Sequence, residues 1–421
     1  MKRTTMRSVC LLGCVFWVLL ARAEDWPTYR HDNRRSGVTP AALQLPLVPA
    51  WRRKAAVPPQ PAWSAPAPWD AYSGNKGLQA QRDFDLAYYT TSAGELVYFG
   101  SSVDNAVHCI EASSGKEQWA FFTGAAVRLP PTLHRGKAYF GSDDGCAYCV
   151  DASDGALVWK LRGGPADTLI PSNGKLVSPW PCRTGVLIDG NNAYCAFSLV
   201  PWKDSFLCSL NAEDGRVRYR KSSGGNTFQG SMAADGQLVV MQGKAPPLAF
   251  DPETGNSVTA YGPASGVRCA LLGGGRMAVG PKGQKNRDNL VLVVDRKTRA
   301  VLAGFPGADR LLVDGPMGYM HRNGKLVAID LDQHVEMRAR QKKSTETTRW
   351  ELPCETPCEL IKAGRFLFVG TKGKITAVDA ATGEATWTTD VEGSVHGLTV
   401  AAGRLFASTD LGHIYAFVPG K

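Results

Sequence analysis

Apolar residues recur along this chain in runs of five to eight, rich in Val, Tyr, Phe and Leu and closed by Gly or Asp-Gly. That pattern predicts short strands and tight turns, not the three- and four-residue spacing of an amphipathic helix. One run ends in a fixed order, apolar–small–apolar–acid. It reads His108-Cys109-Ile110-Glu111, Tyr148-Cys149-Val150-Asp151, Cys208-Ser209-Leu210-Asn211, Leu248-Ala249-Phe250-Asp251, Leu292-Val293-Val294-Asp295, Val327-Ala328-Ile329-Asp330, Thr376-Ala377-Val378-Asp379 and Tyr415-Ala416-Phe417-Val418. The third residues of these eight copies are separated by 40, 60, 40, 44, 35, 49 and 39 positions. About 40 residues is room for four strands of five or six residues with their turns.

Each unit keeps the same order of parts. A strand closes on Gly, as in Val97-Tyr98-Phe99-Gly100, Ala138-Tyr139-Phe140-Gly141 and Leu367-Phe368-Val369-Gly370. The signature strand follows, then a turn such as Ala112-Ser113-Ser114-Gly115 or Ala381-Thr382-Gly383, whose Gly supplies a positive φ. Four residues beyond that Gly stands a large aromatic: Trp119, Trp159, Tyr219, Trp387. A four-stranded antiparallel sheet cannot cover both its faces, and radial stacking into a ring covers them all. The predicted architecture is therefore all-β, an eight-bladed propeller of four-stranded blades. Only four residues follow Phe417 of the last signature, whereas Pro46-Leu47-Val48-Pro49-Ala50-Trp51 looks like an orphan fourth strand. An N-terminal strand is expected to complete the last blade.

The first residues stand apart. Lys2, Arg3 and Arg7 precede the apolar run Val9 to Leu20, and Ala21-Arg22-Ala23 follows, which together read as a cleaved export signal, residues 1–23. Residues 24–421 are then one propeller domain, periplasmic or extracellular, without a transmembrane segment. Leu11-Leu12-Gly13-Cys14 offers an alternative, lipidation at Cys14, against which the apolar run continues past the Cys. The signal holds four basic residues and no acid, so the net charge of +10 falls to +6 for the remainder. That charge is spread along the chain, without the dense Lys/Arg stripe and interleaved aromatics of a nucleic-acid footprint. Of 11 cysteines, Cys10 and Cys14 belong to the signal. The odd remainder cannot pair completely within one chain. Cys109 and Cys149 sit in the small-residue column and are expected to be buried thiols. Cys354 and Cys358 are the best candidates for a disulfide or metal pair.

The unit Tyr148 to Trp159, Tyr-x-Val-Asp-Ala-x-x-Gly-x-x-x-Trp, resembles the PQQ-type repeat of quinoprotein alcohol dehydrogenases and of the propeller lipoprotein of the outer-membrane assembly machine. The opening Asp25-Trp26-Pro27-Thr28-Tyr29-Arg30 resembles the start of exported bacterial proteins of that type. The dehydrogenase branch implies PQQ with calcium, a disulfide between adjacent cysteines and, in many members, a Cys-x-x-Cys-His haem motif. No two cysteines are adjacent here, and Cys146-Ala147-Tyr148-Cys149 is followed by Val150. The resemblance thus implies the fold and leaves two functions open: a non-catalytic binding or scaffold module of the cell envelope, needing no cofactor, or a PQQ-dependent dehydrogenase.

Residues just ahead of the innermost strands should face the mouth of the central channel. They are Arg128, Trp180, Arg183, Gln229, Arg268, Arg310 and His396. A partial ring of guanidinium groups creates a positive field that grips carboxylate or phosphate groups. A small anionic ligand, or the acidic side chains of a protein partner, is the expected guest. Alternatively the arginines tie blade to blade through carbonyls and acids such as Asp151 and Asp379. Two inserted stretches, Leu161 to Trp180 with Leu199 to Asp204, and Asp332 to Trp350, widen the repeat. The Pro-rich Val57 to Trp69 reads as a strap across the rim.

Overall fold

The computed structural model describes residues 25–63, 69–70, 75–76, 84–200, 202–242, 245–266, 268–284, 287–340 and 347–420. Residues 1–23, expected from sequence to be an export signal, and with them Cys14, lie outside the described residues. Eight four-stranded antiparallel blades form the molecule. Blades 1 to 6 run Thr90–Phe122, Thr132–Arg162, Leu187–Ser222, Ala233–Ala260, Arg268–Pro306 and Ala308–Pro353. Blade 7 begins at Glu359 and blade 8 reaches Pro419, through two long strands, Phe366–Asp379 and Ala385–Ala401, that each serve two blade positions. The orphan strand Leu47–Arg53 pairs antiparallel with Ile414–Pro419, Leu47 opposite Pro419 and Arg53 opposite Ile414. It completes blade 8 as the truncated last repeat requires.

The first strand of each blade is innermost. Successive first strands touch around the axis, and Ala385–Ala401 meets Thr90–Ala93 to close the ring. Between blades 5 and 6 the pattern changes, and Ala308–Asp314 lies against the second and third strands of blade 5.

The repeat's aromatic and its turn are two halves of one joint. Trp51, Trp119, Trp159 and Trp350 donate their indole N–H to the carbonyls of Ala112, Ala152, Ala212 and Ala380 in the next blade, at 2.9–3.1 Å, and the Tyr219 hydroxyl reaches Pro252. Each ring also lies on the turn glycine of that blade. A Cβ on Gly155 would meet the Trp119 ring at 2.7 Å, and its φ of +76° already favours Gly. The small signature residue faces the aromatic across the strand pair, Cys149 opposite Trp159 and Ala377 opposite Trp387, leaving room for the ring. Blade 5 swaps the sizes, Val293 facing Ala303. Cys109 and Cys149 are buried, and Cys354 and Cys358 are free thiols.

Strand order gives the ring two faces. The mouth face carries the turns between second and third strands and the links between blades; the opposite face carries the signature turns. Residues 26–39 cross the axis on the opposite face. Pro27 accepts from Leu133 of blade 2, and Asn33 holds Ile188 of blade 3 and Ala234 of blade 4. Arg34 accepts from Leu271 of blade 5, and Val38–Thr39 runs parallel to Glu359–Ala363 of blade 7. The buried Arg35 caps Met232 at 2.7 Å. This N-terminal plug closes the channel at that end. The two inserts diverge: the first forms a mouth-face hairpin, Ile170–Ser172 with Lys175–Val177. The second forms the helix Leu331–Ala339 on the opposite face, its N-terminus capped by the signature acid Asp330, which accepts from Gln333. Arg338 lies in that helix's last turn.

Candidate functional site

Two charged clusters occupy the mouth end of the axis. In the first, Asp143, from the turn linking the second and third strands of blade 2, stands between two arginines. Arg183 grips it with two contacts, Nε at 2.8 Å and Nη2 at 2.9 Å, and Arg128 Nε donates at 2.7 Å. Arg128 also donates to Asp85 at 2.6 Å and to the Gln60 carbonyl at 2.9 Å. Burial would raise the carboxyl pKa of Asp143, but Arg183 and Arg128 outweigh it and hold it below the ordinary value. All four of these charged side chains are buried.

The strap covers this cluster. Trp63 donates its indole N–H to Gln229 Oε1 at 2.8 Å, and Arg183 lies over its ring at 5.7 Å. Asp85 accepts from Ala62 at 2.7 Å, anchoring the strap to the axis. Arg183 Nη1, Gln229 Nε2 and Asp85 Oδ1 are buried without a partner.

In the second cluster one carboxylate faces three guanidiniums. Glu359 opens the first strand of blade 7 and is 3% exposed; Arg30 of the plug reaches it at 2.5 Å and Arg268 at 3.3 Å. Arg310 adds its field without an ion pair among the described residues, donating only to the carbonyls of Cys358 at 2.7 Å and Asp309 at 3.1 Å. Burial, which would raise the Glu359 pKa, is overridden by Arg30, Arg268 and Arg310, and the value falls to about 2. Burial and then the repulsion of Arg268 lower Arg310 to about 10. His396 is brought to about 4 by burial and by Arg268 and Arg310, so its ring is neutral at physiological pH. Beneath lie Tyr29 and Tyr89, rings edge to face at 5.3 Å, with the Tyr89 hydroxyl buried and unpartnered.

The structure therefore brings Arg128, Arg183 and Gln229 together on one side of the axis and Arg268, Arg310 and His396 on the other. Trp180 joins neither group. Its indole donates to the Asp204 carbonyl at 2.8 Å, Lys203 lies over its ring at 5.9 Å, and Gly164 packs against it. The acids that hold the arginines are Asp143, Asp85 and Glu359, not the signature residues Asp151 and Asp379 on the far face. Sequence reading missed these acids together with Arg30 and Trp63. The one signal was the opening motif that contains Arg30.

This ring of eight blades, each aromatic seated on the next blade's turn, is a PQQ-type propeller. The chain belongs to the PQQ-like propeller family described as outer membrane protein assembly factor BamB, which matches residues 51–199, 104–350 and 339–419. Among solved structures it is similar to a europium-containing methanol dehydrogenase, at 11% identity over 94% of this chain and 98% of that one, with a TM-score of 0.62. The quinohemoprotein alcohol dehydrogenase ADHIIG from Pseudomonas putida HK5 shares 13% identity over 94% of this chain and 80% of that one, with a TM-score of 0.65. A computationally designed protein, Ika8, covers 80% of this chain and is itself covered over 98%, at 11% identity and a TM-score of 0.58. At such identities the likeness carries the fold alone. Comparison with the curated proteins returns no match.

The residues present do not fit a quinone held on a metal ion. A hard cation takes carboxylate oxygens, and here the carboxyl groups of the two clusters, Asp85, Asp143 and Glu359, each carry a guanidinium contact. Among the described residues no three His, Cys, Asp or Glu side chains converge as a ligand set. No helix of the described residues is long and apolar enough to cross a membrane.

Proposed function

We propose that this chain is an exported binding module of the cell envelope, without redox chemistry of its own, that engages a partner protein through the mouth face of the propeller. The observation that carries the reading is the state of the axis: Asp85, Asp143 and Glu359, the buried carboxyl groups of the two clusters, are bound to arginines and are not free to act as base or metal ligand. The mouth face, meanwhile, carries the first insertion, the hairpin Ile170–Ser172 with Lys175–Val177. Exposed apolar side chains stand there on the inserted hairpin and the neighbouring loops: Leu169, Leu176 and Trp202, the last 74% exposed, with Phe122 at the rim, 67% exposed. A cluster of exposed aromatic and aliphatic groups is what contact surfaces use. The basic, apolar, small-residue order of residues 1–23 supports export. The fold likeness to quinone enzymes raises the alternative of a PQQ-dependent dehydrogenase, but the axial chemistry speaks against it.

The test places a photo-crosslinker at Trp202 or Leu176 on the mouth face and, as control, at Leu157 on the opposite rim, in cells of the native host. The reading predicts one discrete adduct from the two mouth positions and none from Leu157. Equal adducts from both faces, or quinone- and calcium-dependent dye reduction by the purified protein with an alcohol or sugar, would overturn it.

A further inference from the structure

The seam between blades 5 and 6 holds a cavity. It opens where the first strands of these blades part, and Arg30, Arg268 and Arg310 line it together with Cys269, Val279 and Leu312. Its volume is about 40 Å³. One water needs ~10–15 Å³ on the same measure, so the space takes about three small atoms and no ring.

The charges around it do not balance. Arg30 and Arg268 share Glu359, and Arg310 has no ion pair among the described residues. One acid also lines the cavity, Asp309, whose carboxylate is taken up by His321 at 3.0 Å and by the Asn289 amide; Asp410 accepts from Ser394 at 2.7 Å. Arg310 Nε is buried without a partner. Three guanidiniums on one buried carboxylate repel one another in a low-dielectric wall of Val, Leu and Cys. A planar anion of three heavy atoms supplies the missing charge and accepts from the unused N–H.

We propose that this cavity is a binding site for a single carboxylate group, held by Arg268 and Arg310. The assignment rests on the reading of the mouth end as a ligand-facing surface and deepens it by naming the chemistry. The carboxylate belongs to a small organic acid or to an acidic side chain of a partner. Both present the same two oxygens, and the experiment separates them.

Carbon-13-labelled acetate is titrated into the purified mature protein and its carboxyl signal followed by NMR. The expected result is line broadening reversed by succinate but not by succinamide, with affinity falling about ten- to a hundredfold in Arg310→Gln. An acidic peptide that displaces acetate at lower concentration than succinate assigns the site to a partner's side chain; the reverse order assigns it to a free acid. If Arg310→Gln does not fold, the wild-type competition alone decides. Absent broadening, broadening that succinamide reverses equally, or unchanged affinity in a folded Arg310→Gln would overturn the proposal. Cross-linking from the mouth face with no acetate binding would retain the partner and sink the site. Acetate binding without cross-links would do the opposite.

Discussion

The two sides of the axis use the same residue types and reach different charge states. On the side of blades 1 to 3, two arginines face two carboxyl groups, and Asp143 is gripped by both guanidiniums. On the side of blades 5 to 8, Arg30 and Arg268 share Glu359, and Arg310 has no ion pair among the described residues. The first cluster is closed by the strap through Trp63 and pairs each guanidinium with a carboxyl group, as a structural tie does. The second sits beside a cavity and retains spare donors. A buried arginine is therefore not by itself evidence of a site. What distinguishes a tie from a receptor here is whether every charge is already paired within the chain and whether a cavity adjoins the one that is not.

The largest effect should come from Glu359→Gln, which leaves three guanidiniums buried together. A loss of about 3–5 kcal/mol in urea unfolding is expected. Asp143→Asn should cost less, toward the lower end of that range, because Arg128 keeps Asp85. Equal losses would erase the contrast between the two clusters.

Acid sensitivity should report the same asymmetry. The folded pKa of Glu359, about 2, lies below its ordinary 4.5. Its contribution is full above pH 4.5 and is lost as pH falls toward 2, an effect of about 3 kcal/mol. His396, at about 4 in the fold against an ordinary 6.5, takes up protons more readily when unfolded. Stability therefore also declines as pH falls from 6.5 to 4. In Glu359→Gln the lower limb of the stability–pH curve should flatten, and in His396→Asn the upper limb should become shallower. The smallest effect is expected from Trp63→Phe, which keeps the ring but loses the hydrogen bond to Gln229, about 1 kcal/mol by thermal or urea unfolding.

The blades were legible in the sequence because every part of the repeat acts within about one unit. The small residue faces its own aromatic across a strand pair, and the aromatic meets the turn of the next copy. Even closure could be read, because the missing fourth strand and the orphan Trp51 are complementary. Trp350 escaped notice as the aromatic of blade 6 because the helix Leu331–Ala339 displaces it from its turn. The arginines of the mouth were legible from their place ahead of the inner strands, their partners were not. Arg30 and Glu359 are 329 residues apart. Asp143 lies in Ser142-Asp143-Asp144-Gly145, a composition that any hairpin turn could carry. Trp180 stood at a comparable position, but a neighbouring loop supplies its partners, and loop packing leaves no periodic trace.

The most direct test of the contrast is the stability of Glu359→Gln and Asp143→Asn measured with and without acetate at constant ionic strength. Acetate should restore a measurable part of the loss in Glu359→Gln and leave Asp143→Asn unchanged, because the arginines of the Glu359 cluster line the cavity proposed to admit a carboxylate. Restoration of both variants, or of neither, would contradict the division of the axis into a structural tie and a receptor for an anion.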